Sequence, residues 1–325
     1  MSAFADPDII KMARKDFVAV AADDWYQRRR QDKEGEFFRT VADALGKKGV
    51  GGATRQGIYC FAADGTPLAY KNAGQNPAVM KQVLREALAK FDRLPESKRK
   101  AGAVKVEEHG RLDARYSRTP PEGGLIVKAF TRILDYKDDA YCKGACKTLG
   151  GDKAARDHLW LTADEVKSLV PAKADVGYKY ALPAKVADRV VRFHLVDNTR
   201  GEPNLWSKQE VREQRFTLTV TSATADAIEL RLEGEAVMAT DADLDKADRG
   251  YDVRLLGNLR YVPAKKTFDR FDVTAVGTHW GAGTFTGVAR PGKTLLGVSF
   301  ELAGDNPGDR VPPQGIRDQD GYYGR

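Results

Sequence analysis

Alternation of apolar and polar residues in the C-terminal third of the chain constrains its fold more than any other feature. Residues 216–221 read Phe-Thr-Leu-Thr-Val-Thr, and residues 227–233 alternate in the same way. A period of two residues places every apolar side chain on one face of a β-strand. Similar patterns follow at 255–261, 271–276 and 295–300. Successive strands of this kind predict an antiparallel β domain with one buried and one solvated face.

The first 95 residues predict a different architecture, in which helices alternate with strands. A helix opens at Asp6-Pro7, and residues 17–22 then read Phe-Val-Ala-Val-Ala-Ala, an apolar run typical of a buried strand. A polar helix follows, then a strand at 57–61, the hairpin turn Asp64-Gly65 and a returning strand. A last helix begins at Asn76-Pro77. The predicted order is helix, strand, helix, strand, hairpin strand and helix.

This order resembles the thioredoxin-like superfamily, as in bacterial thioredoxin-like proteins with no assigned reaction, and the resemblance covers residues 1–95 only. Thioredoxins place a Trp-Cys-x-x-Cys motif after the central strand. Here Trp25 matches the tryptophan, whereas Tyr26 and Arg29 stand in place of the two cysteines. The loop at 52–57 also lacks the cis-proline of the family. The resemblance implies a thioredoxin-type domain, and its departures imply a redox-inactive one, because disulfide exchange needs a thiolate.

The predicted fold class combines three parts. These are an α/β thioredoxin-like N-terminal domain, an irregular α+β middle segment and a mainly antiparallel β C-terminal domain. The predicted boundaries are 1–95 for the first domain, 96–205 for the linker and irregular segment, 206–303 for the β domain, and 304–325 for a flexible tail rich in Gly, Pro and Asp.

Charge and hydropathy narrow the functional classes. Residues 1–100 hold 19 Lys+Arg against 13 Asp+Glu, and the rest of the chain holds 34 against 33. The basic clusters are short and carry no nucleic-acid-binding motif, which disfavours nucleic acid as a partner.

No apolar run reaches about 18 residues, so no membrane span is predicted. The N-terminus does not read as a signal peptide, which indicates a cytoplasmic protein, or a periplasmic or secreted one if a leader precedes this start.

Two loops of the thioredoxin-like domain form the first candidate site, because that fold brings them to one surface. The site residues are Trp25, Tyr26, Arg28, Arg29, Thr54, Arg55 and Gln56. Free N–H groups at a helix start and guanidinium forks both favour anions. This predicts a binding or scaffold protein for a peptide, a protein or a small anionic ligand. In the alternative interpretation, Trp25 packs a helix onto the sheet and the arginines pair with nearby acids.

A cysteine pair forms the second candidate site. Cys142 and Cys146 lie four residues apart, with His158 downstream. Two thiolates and an imidazole could supply three ligands to zinc or copper, but the sequence offers no clear fourth ligand. A Cys142–Cys146 disulfide, a reactive dithiol and inert thiols therefore stay open. We expect no resident cofactor, with zinc or copper as the alternative.

Two polar loops form the third candidate site. One carries His194, Asp197, Asn198 and Arg200, and the other carries His279-Trp280. If the loops meet, two histidines and an aspartate would form a metal or acid/base centre. The alternative is a set of hydrogen-bonded structural side chains. A metal-binding or thiol-dependent enzyme that uses this or the cysteine site is thus the second functional hypothesis.

Overall fold

A computed structural model of the chain describes residues 3–46, 54–72, 76–105, 110–134, 154–286 and 290–324. The chain divides into two compact units, Met1–Arg118 and Thr119–Arg325. We call them the N-terminal unit and the C-terminal unit. Within the described ranges, no helix combines the length and the apolar composition needed to cross a membrane.

The N-terminal unit consists of short and medium helices around a two-stranded antiparallel sheet. In chain order its elements are α1 (Pro7–Asp16), α2 (Asp24–Gln27), α3 (Lys33–Ala44), β1 (Ile58–Phe61), β2 (Pro67–Lys71), α4 (Pro77–Asp92) and α5 (Glu96–Arg99). The carboxylate of Asp6 accepts from two N–H groups at the start of α1, and Asn76 caps α4 in a similar way. Helices α1 and α4 bury Ile9 and Met80 against Leu68 of the sheet.

The predicted thioredoxin-like fold class is wrong. The molecule is mostly β, and residues 17–22, predicted as a buried strand, form no strand. Val18 is 95% exposed and Val20 is 79% exposed, so this apolar run lies on the surface. In the part of the chain that the structure describes, strands β1 and β2 therefore pair only with each other. The apolar composition was a misleading signal, because a strand also needs a neighbour for its N–H and C=O groups.

The C-terminal unit contains one eight-stranded antiparallel sheet. Its strands are β3 (Leu125–Ile133), β4 (Ala155–Leu161), β5 (Lys179–Ala181), β6 (Val211–Ala223), β7 (Ile228–Ala239), β8 (Gly250–Val262), β9 (Thr267–Gly281) and β10 (Arg290–Leu302). Their order across the sheet is β4-β3-β10-β9-β8-β7-β6-β5. Its helices are α6 (Ala163–Ser168) and α7 (Ala184–Arg189), followed by a π-helical turn at Val190–His194, and α8 (Gln319–Tyr323).

Alternating burial along the long strands explains this sheet. In β8, Val253, Leu255 and Leu259 are buried, whereas Arg254 and Leu256 between them face solvent. The buried face packs on apolar residues of α6, α7 and the π-helical turn. The sheet is also larger than the predicted β domain. Strands β3, β4 and β5 come from the segment that we expected to be irregular, and they join the same sheet.

The C-terminal segment differs from the predicted flexible tail. Ile316 and Tyr322 are each 1% exposed and pack with Trp160 of β4. The Tyr322 hydroxyl accepts the Trp160 backbone N–H at 3.2 Å. Strand β4 is an edge of the sheet, so this hydroxyl satisfies an amide that lies on an edge strand. Apolar and aromatic anchors in a Gly- and Pro-rich segment are sufficient to order it.

Candidate functional site

The two loops of the first candidate site do meet in the N-terminal unit, and Asp24 joins them. Its carboxylate accepts the Thr54 hydroxyl at 2.9 Å and the Arg55 backbone N–H at 3.0 Å. Arg28 donates to the same carboxylate at 3.2 Å. The donors that we expected to hold an external anion therefore bind an internal one.

Arg55 and Gln56 are also engaged within the N-terminal unit. The Arg55 side chain is buried, and its guanidinium forms an ion pair with Asp43 at 3.2 Å. The Gln56 carbonyl accepts the Tyr70 hydroxyl at 2.9 Å. This half of the predicted site matches the alternative interpretation, in which arginines pair with nearby acids.

The other half of the predicted site lies on an arginine–aromatic surface. The Arg29 guanidinium carbon lies 4.5 Å from the centre of the Trp25 ring, and the Trp25 and Tyr116 rings meet edge to face at 5.6 Å. Trp25 also contacts the ring of Tyr26 at 5.1 Å, and the Arg118 guanidinium carbon lies 5.5 Å from the Tyr26 ring centre. Guanidinium groups bind aromatic faces through the ring quadrupole.

Arg115 extends this surface, with its guanidinium carbon 5.7 Å from the centre of the Tyr116 ring. We define the arginine–aromatic surface by the residues Trp25, Arg29, Arg115, Tyr116 and Arg118, together with Tyr26, which is buried beneath them. All six belong to the N-terminal unit. Sequence reasoning missed Arg115, Tyr116 and Arg118, because it assigned them to a linker. The interleaved pattern Arg-Tyr-Ser-Arg at 115–118 was the available signal.

Two aspartate contacts hold the 113–118 turn against residues 31 and 32, which connect α2 to α3. Asp32, 8% exposed, accepts the Asp113 backbone N–H at 2.8 Å and binds Arg30 through several donors. Asp113 in turn accepts the Gln31 backbone N–H at 3.0 Å. Burial alone would raise the pKa of Asp32, but the hydrogen bonds from Arg30, Asp113 and Gly35 outweigh it and lower the pKa to about 2. The ionised Asp32 thus positions the turn.

The two units differ in net charge. Residues 1–118 contain 23 Lys+Arg and 16 Asp+Glu, whereas residues 119–325 contain 30 of each. The entire net charge of +7 therefore belongs to the N-terminal unit. An excess of positive charge raises the rate at which anionic partners are captured.

The two loops of the third candidate site lie in the C-terminal unit, where they meet but keep their two histidines in different surroundings. The two loops meet, because Arg200 donates to the Gly281 carbonyl at 2.8 Å. The Asp197 carboxylate accepts hydrogen bonds from the Arg200 guanidinium at 2.8 Å and from the Thr199 hydroxyl at 2.6 Å. Gly281 has a φ of 80°, and a Cβ there would lie 2.0 Å from the Asp248 carbonyl oxygen. Only glycine can therefore make this loop junction.

His194 and His279 occupy different surroundings. The Nε2 of His194 lies 3.0 Å from the Tyr322 hydroxyl, and its Nδ1 lies 3.3 Å from the Asp157 carboxylate. The His279 ring instead meets the Tyr251 ring edge to face at 5.7 Å. Trp280 donates its indole N–H to the Ala247 carbonyl at 2.9 Å. The structure therefore brings the loops together without joining both histidines and the aspartate in one centre.

Asn198 is half-buried beside Asp197, and its side-chain oxygen accepts no hydrogen bond from the part of the chain that the structure describes.

No protein-family model, curated protein or solved structure matches this chain.

The cysteine site falls on residues outside the described ranges, apart from its third member. His158 lies buried on β4, with its Nε2 3.3 Å from an Arg156 guanidinium nitrogen. Burial and the positive charge of Arg156 lower the pKa of His158 below its usual value of 6.5. In the ranges that the structure describes, no group of three or more His, Cys, Asp or Glu residues is arranged to hold a metal.

Buried charge in the C-terminal unit is paired internally. Arg189, 1% exposed, binds the Glu165 carboxylate with both terminal nitrogens and donates to the carbonyls of Trp160 at 2.9 Å and Tyr322 at 2.7 Å. All its contacts link α7 to β4, α6 and α8. Four hydrogen bonds from one guanidinium tie these four elements together and pair its charge with Glu165.

Proposed function

We propose that the protein is a binding protein whose arginine–aromatic surface takes an acidic peptide segment of a partner protein. The observation that supports this is the set of guanidinium groups stacked on rings that contact one another around Trp25. Arginine presents a planar fork that matches a carboxylate, and stacking holds that fork in place before the ligand arrives. Less conformational entropy is then lost on binding.

The chemistry of the surface favours a carboxylate on a peptide over a small anion. Its cations are Arg29, which follows the C-cap of α2, and Arg115 and Arg118 at 113–118, and aromatic rings lie between them. The Arg115 guanidinium also donates to the Asp113 carboxylate at 3.0 Å. A single small anion would contact one guanidinium, whereas an acidic peptide can place successive carboxylates and apolar side chains over charges and rings together. Trp, Tyr and Arg are also the residues that contribute most to protein–protein interfaces.

Arg29 is the best probe of this surface. It donates to the Trp25 carbonyl at 3.2 Å, and no carboxylate lies within ion-pair distance among the residues that the structure describes. Its charge is thus not neutralised by an internal acid, in contrast to Arg55, which is paired with Asp43. Removal of the Arg29 side chain should weaken binding with little effect on folding.

Fluorescence anisotropy with a labelled Asp- and Glu-rich peptide tests the proposal at low and moderate salt. We expect Arg29→Ala to weaken binding by roughly tenfold, which is about the loss of one charge-assisted contact. Arg85→Ala is the matched control, because Arg85 is an exposed arginine of α4 in the same unit and outside the surface. The control should bind like the wild type.

Three outcomes would overturn the proposal. The first is absence of peptide binding at low salt, and the second is an equal loss in Arg29→Ala and Arg85→Ala, which would indicate net charge alone. The third is tighter binding of a labelled single-stranded oligonucleotide than of the peptide. That last result would assign the surface to nucleic acid, whose bases also stack on aromatic rings.

A further inference from the structure

One carboxylate at the start of the 113–118 turn binds several groups of the N-terminal unit at once. The Asp113 carboxylate accepts the Nε and Nη2 hydrogens of Arg115, each at 3.0 Å, and the Arg115 backbone N–H at 3.1 Å. It also accepts the Gln31 backbone N–H at 3.0 Å. The hydrogen bonds from the Arg115 side chain and the Gln31 backbone lower the pKa of Asp113 below its usual value, so the carboxylate is ionised at neutral pH.

The main chain of Asp113 fixes the same turn. Its N–H donates to the buried Asp32 at 2.8 Å. Its carbonyl accepts the backbone N–H groups of Tyr116 at 3.0 Å and of Ser117 at 2.9 Å. Because these bonds set the backbone of Tyr116, they also set the place at which its ring meets the ring of Trp25.

The exposures of Asp113 and Arg115 indicate which of the two can meet a ligand. The side chain of Arg115 is 70% exposed, whereas that of Asp113 is 10% exposed. An exposed arginine that is free samples many rotamers, and ordering it on binding costs conformational entropy. The two-point pair with Asp113 holds the guanidinium near the Tyr116 ring before a ligand arrives. Asp113 therefore acts through Arg115 and Tyr116, without touching the ligand itself.

We propose that Asp113 is a positioning residue of the arginine–aromatic surface, a role that rests on the proposed binding of an acidic peptide. Its positioning effect and its charge act in opposite directions. A negative charge beside the cations of the surface disfavours an acidic ligand, so charge alone predicts that removal of Asp113 tightens binding. Positioning predicts that removal weakens binding, because Arg115 and Tyr116 must then be ordered when the peptide binds.

Fluorescence anisotropy with the labelled Asp- and Glu-rich peptide distinguishes these two signs. We expect Asp113→Asn to weaken binding by about fivefold or more. Asp64→Asn is the matched control, because the Asp64 carboxylate also accepts a backbone N–H, from Thr66 at 2.9 Å, and pairs with a cation, Lys98 at 2.9 Å. Asp64 lies in the turn between β1 and β2, outside the surface. Both substitutions remove one negative charge, so the control should bind as tightly as the wild type or slightly more tightly.

A double-mutant cycle tests whether Asp113 acts through Arg115. In the Arg115→Ala background, Asp113→Asn should weaken binding by no more than about twofold, because the guanidinium that Asp113 positions is then absent. A merely structural role predicts the same loss in both backgrounds. Amide exchange at Gln31 should become faster in Asp113→Asn and stay unchanged in Asp64→Asn.

Arg115→Lys tests the same contact without altering Asp113. Lysine keeps the positive charge and leaves the Gln31 bond in place, but it cannot form the planar two-point pair. We expect it to bind the peptide more weakly than the wild type does. This variant decides the question if Asp113→Asn lowers the stability of the N-terminal unit, as judged by circular dichroism.

The inference is overturned, with the proposed function intact, if the wild type binds the peptide and Asp113→Asn binds as tightly as Asp64→Asn. Equal losses from Asp113→Asn with and without the Arg115 side chain would also overturn it, as would wild-type affinity in Arg115→Lys. Absence of peptide binding by the wild type would instead overturn the proposed function and this inference together.

Discussion

Two segments with strand-like composition, 17–22 and 216–221, have opposite fates in this protein. In β6, Leu218 and Val220 are fully buried and pair with Leu232 and Leu230 of β7. In the N-terminal unit, Val20 is exposed and unpaired. The chain turns back four residues after β6 and delivers a complementary strand, whereas helix α2 follows 17–22. The difference teaches that strand formation depends on an available neighbour as much as on side-chain composition.

The largest expected effect comes from the same substitution in both segments. Val220→Asp places a carboxylate among the apolar side chains that surround Val220 on the buried face of β6. It should lower the free energy of unfolding by about 4 kcal/mol or more. Val20→Asp changes a side chain that is 79% exposed, and should change the free energy of unfolding by about 0.5 kcal/mol or less. Urea denaturation followed by tryptophan fluorescence measures both.

Equal destabilisation by the two substitutions would contradict the comparison, because it would mean that residues 17–22 are packed in the monomer. The fluorescence signal is informative for Val220, since three of the four tryptophans lie in the C-terminal unit. For Val20, far-ultraviolet circular dichroism of the helices of the N-terminal unit is the better probe.

Local patterns predicted part of this fold and failed at identifiable points. The alternation at 216–221 and 227–233 marks residues of β6 and β7. Residues 17–22 were misassigned, because apolar composition does not reveal whether a partner strand exists. Long-range pairing between β3 and β10 was also beyond the sequence, since about 160 residues separate the two strands.

The candidate sites show the same limit. Loop positions indicated that 24–29 and 54–56 meet, but the sequence did not reveal that Asp24 would accept the donors of the second loop. Nor did it show that Asp32 and Asp113 would place Tyr116 beside Trp25. Which acid neutralises which arginine depends on distances that only the folded chain sets.

The second largest effect is expected at the buried ion pair of the C-terminal unit. Arg189→Ala leaves Glu165 buried without its partner and should cost about 3–5 kcal/mol. The control is Arg260→Ala, which removes a two-point ion pair to Asp269 whose side chains are 45% and 27% exposed. We expect that control to cost about 1 kcal/mol or less. Similar costs, measured by urea denaturation, would show that Arg189 is not buried as the structure has it.

A smaller effect on the free energy of unfolding is expected when the Tyr322 hydroxyl, which accepts an N–H of strand β4, is removed. Tyr322→Phe keeps the ring in its buried site but removes the acceptor of the Trp160 N–H and the partner of His194 Nε2. Leaving buried polar groups unpaired should cost about 1–3 kcal/mol. Amide exchange at Trp160 should become faster at the same time. Tyr261→Phe is the control, because Tyr261 is a half-buried tyrosine of the same unit whose hydroxyl makes no hydrogen bond to the described residues, and equal losses in both variants would argue against a specific role for the Tyr322 hydroxyl.

The smallest effect is a difference in pH response between the units. The lowered pKa of His158 means that the unfolded chain binds a proton before the folded chain does as pH falls. The C-terminal unit should therefore lose stability below about pH 6.5, and His158→Gln should reduce that loss.

Asp32, whose pKa is lowered to about 2, stabilises the N-terminal unit at pH values above 3.8, the pKa of an ordinary aspartate in the unfolded chain. Its contribution is lost only as pH falls from there toward 2, so Asp32→Asn should show a constant deficit between about pH 5 and pH 7. Thermal unfolding at several pH values checks both variants, and a deficit in Asp32→Asn that disappears by about pH 6 would contradict the ionised, buried Asp32.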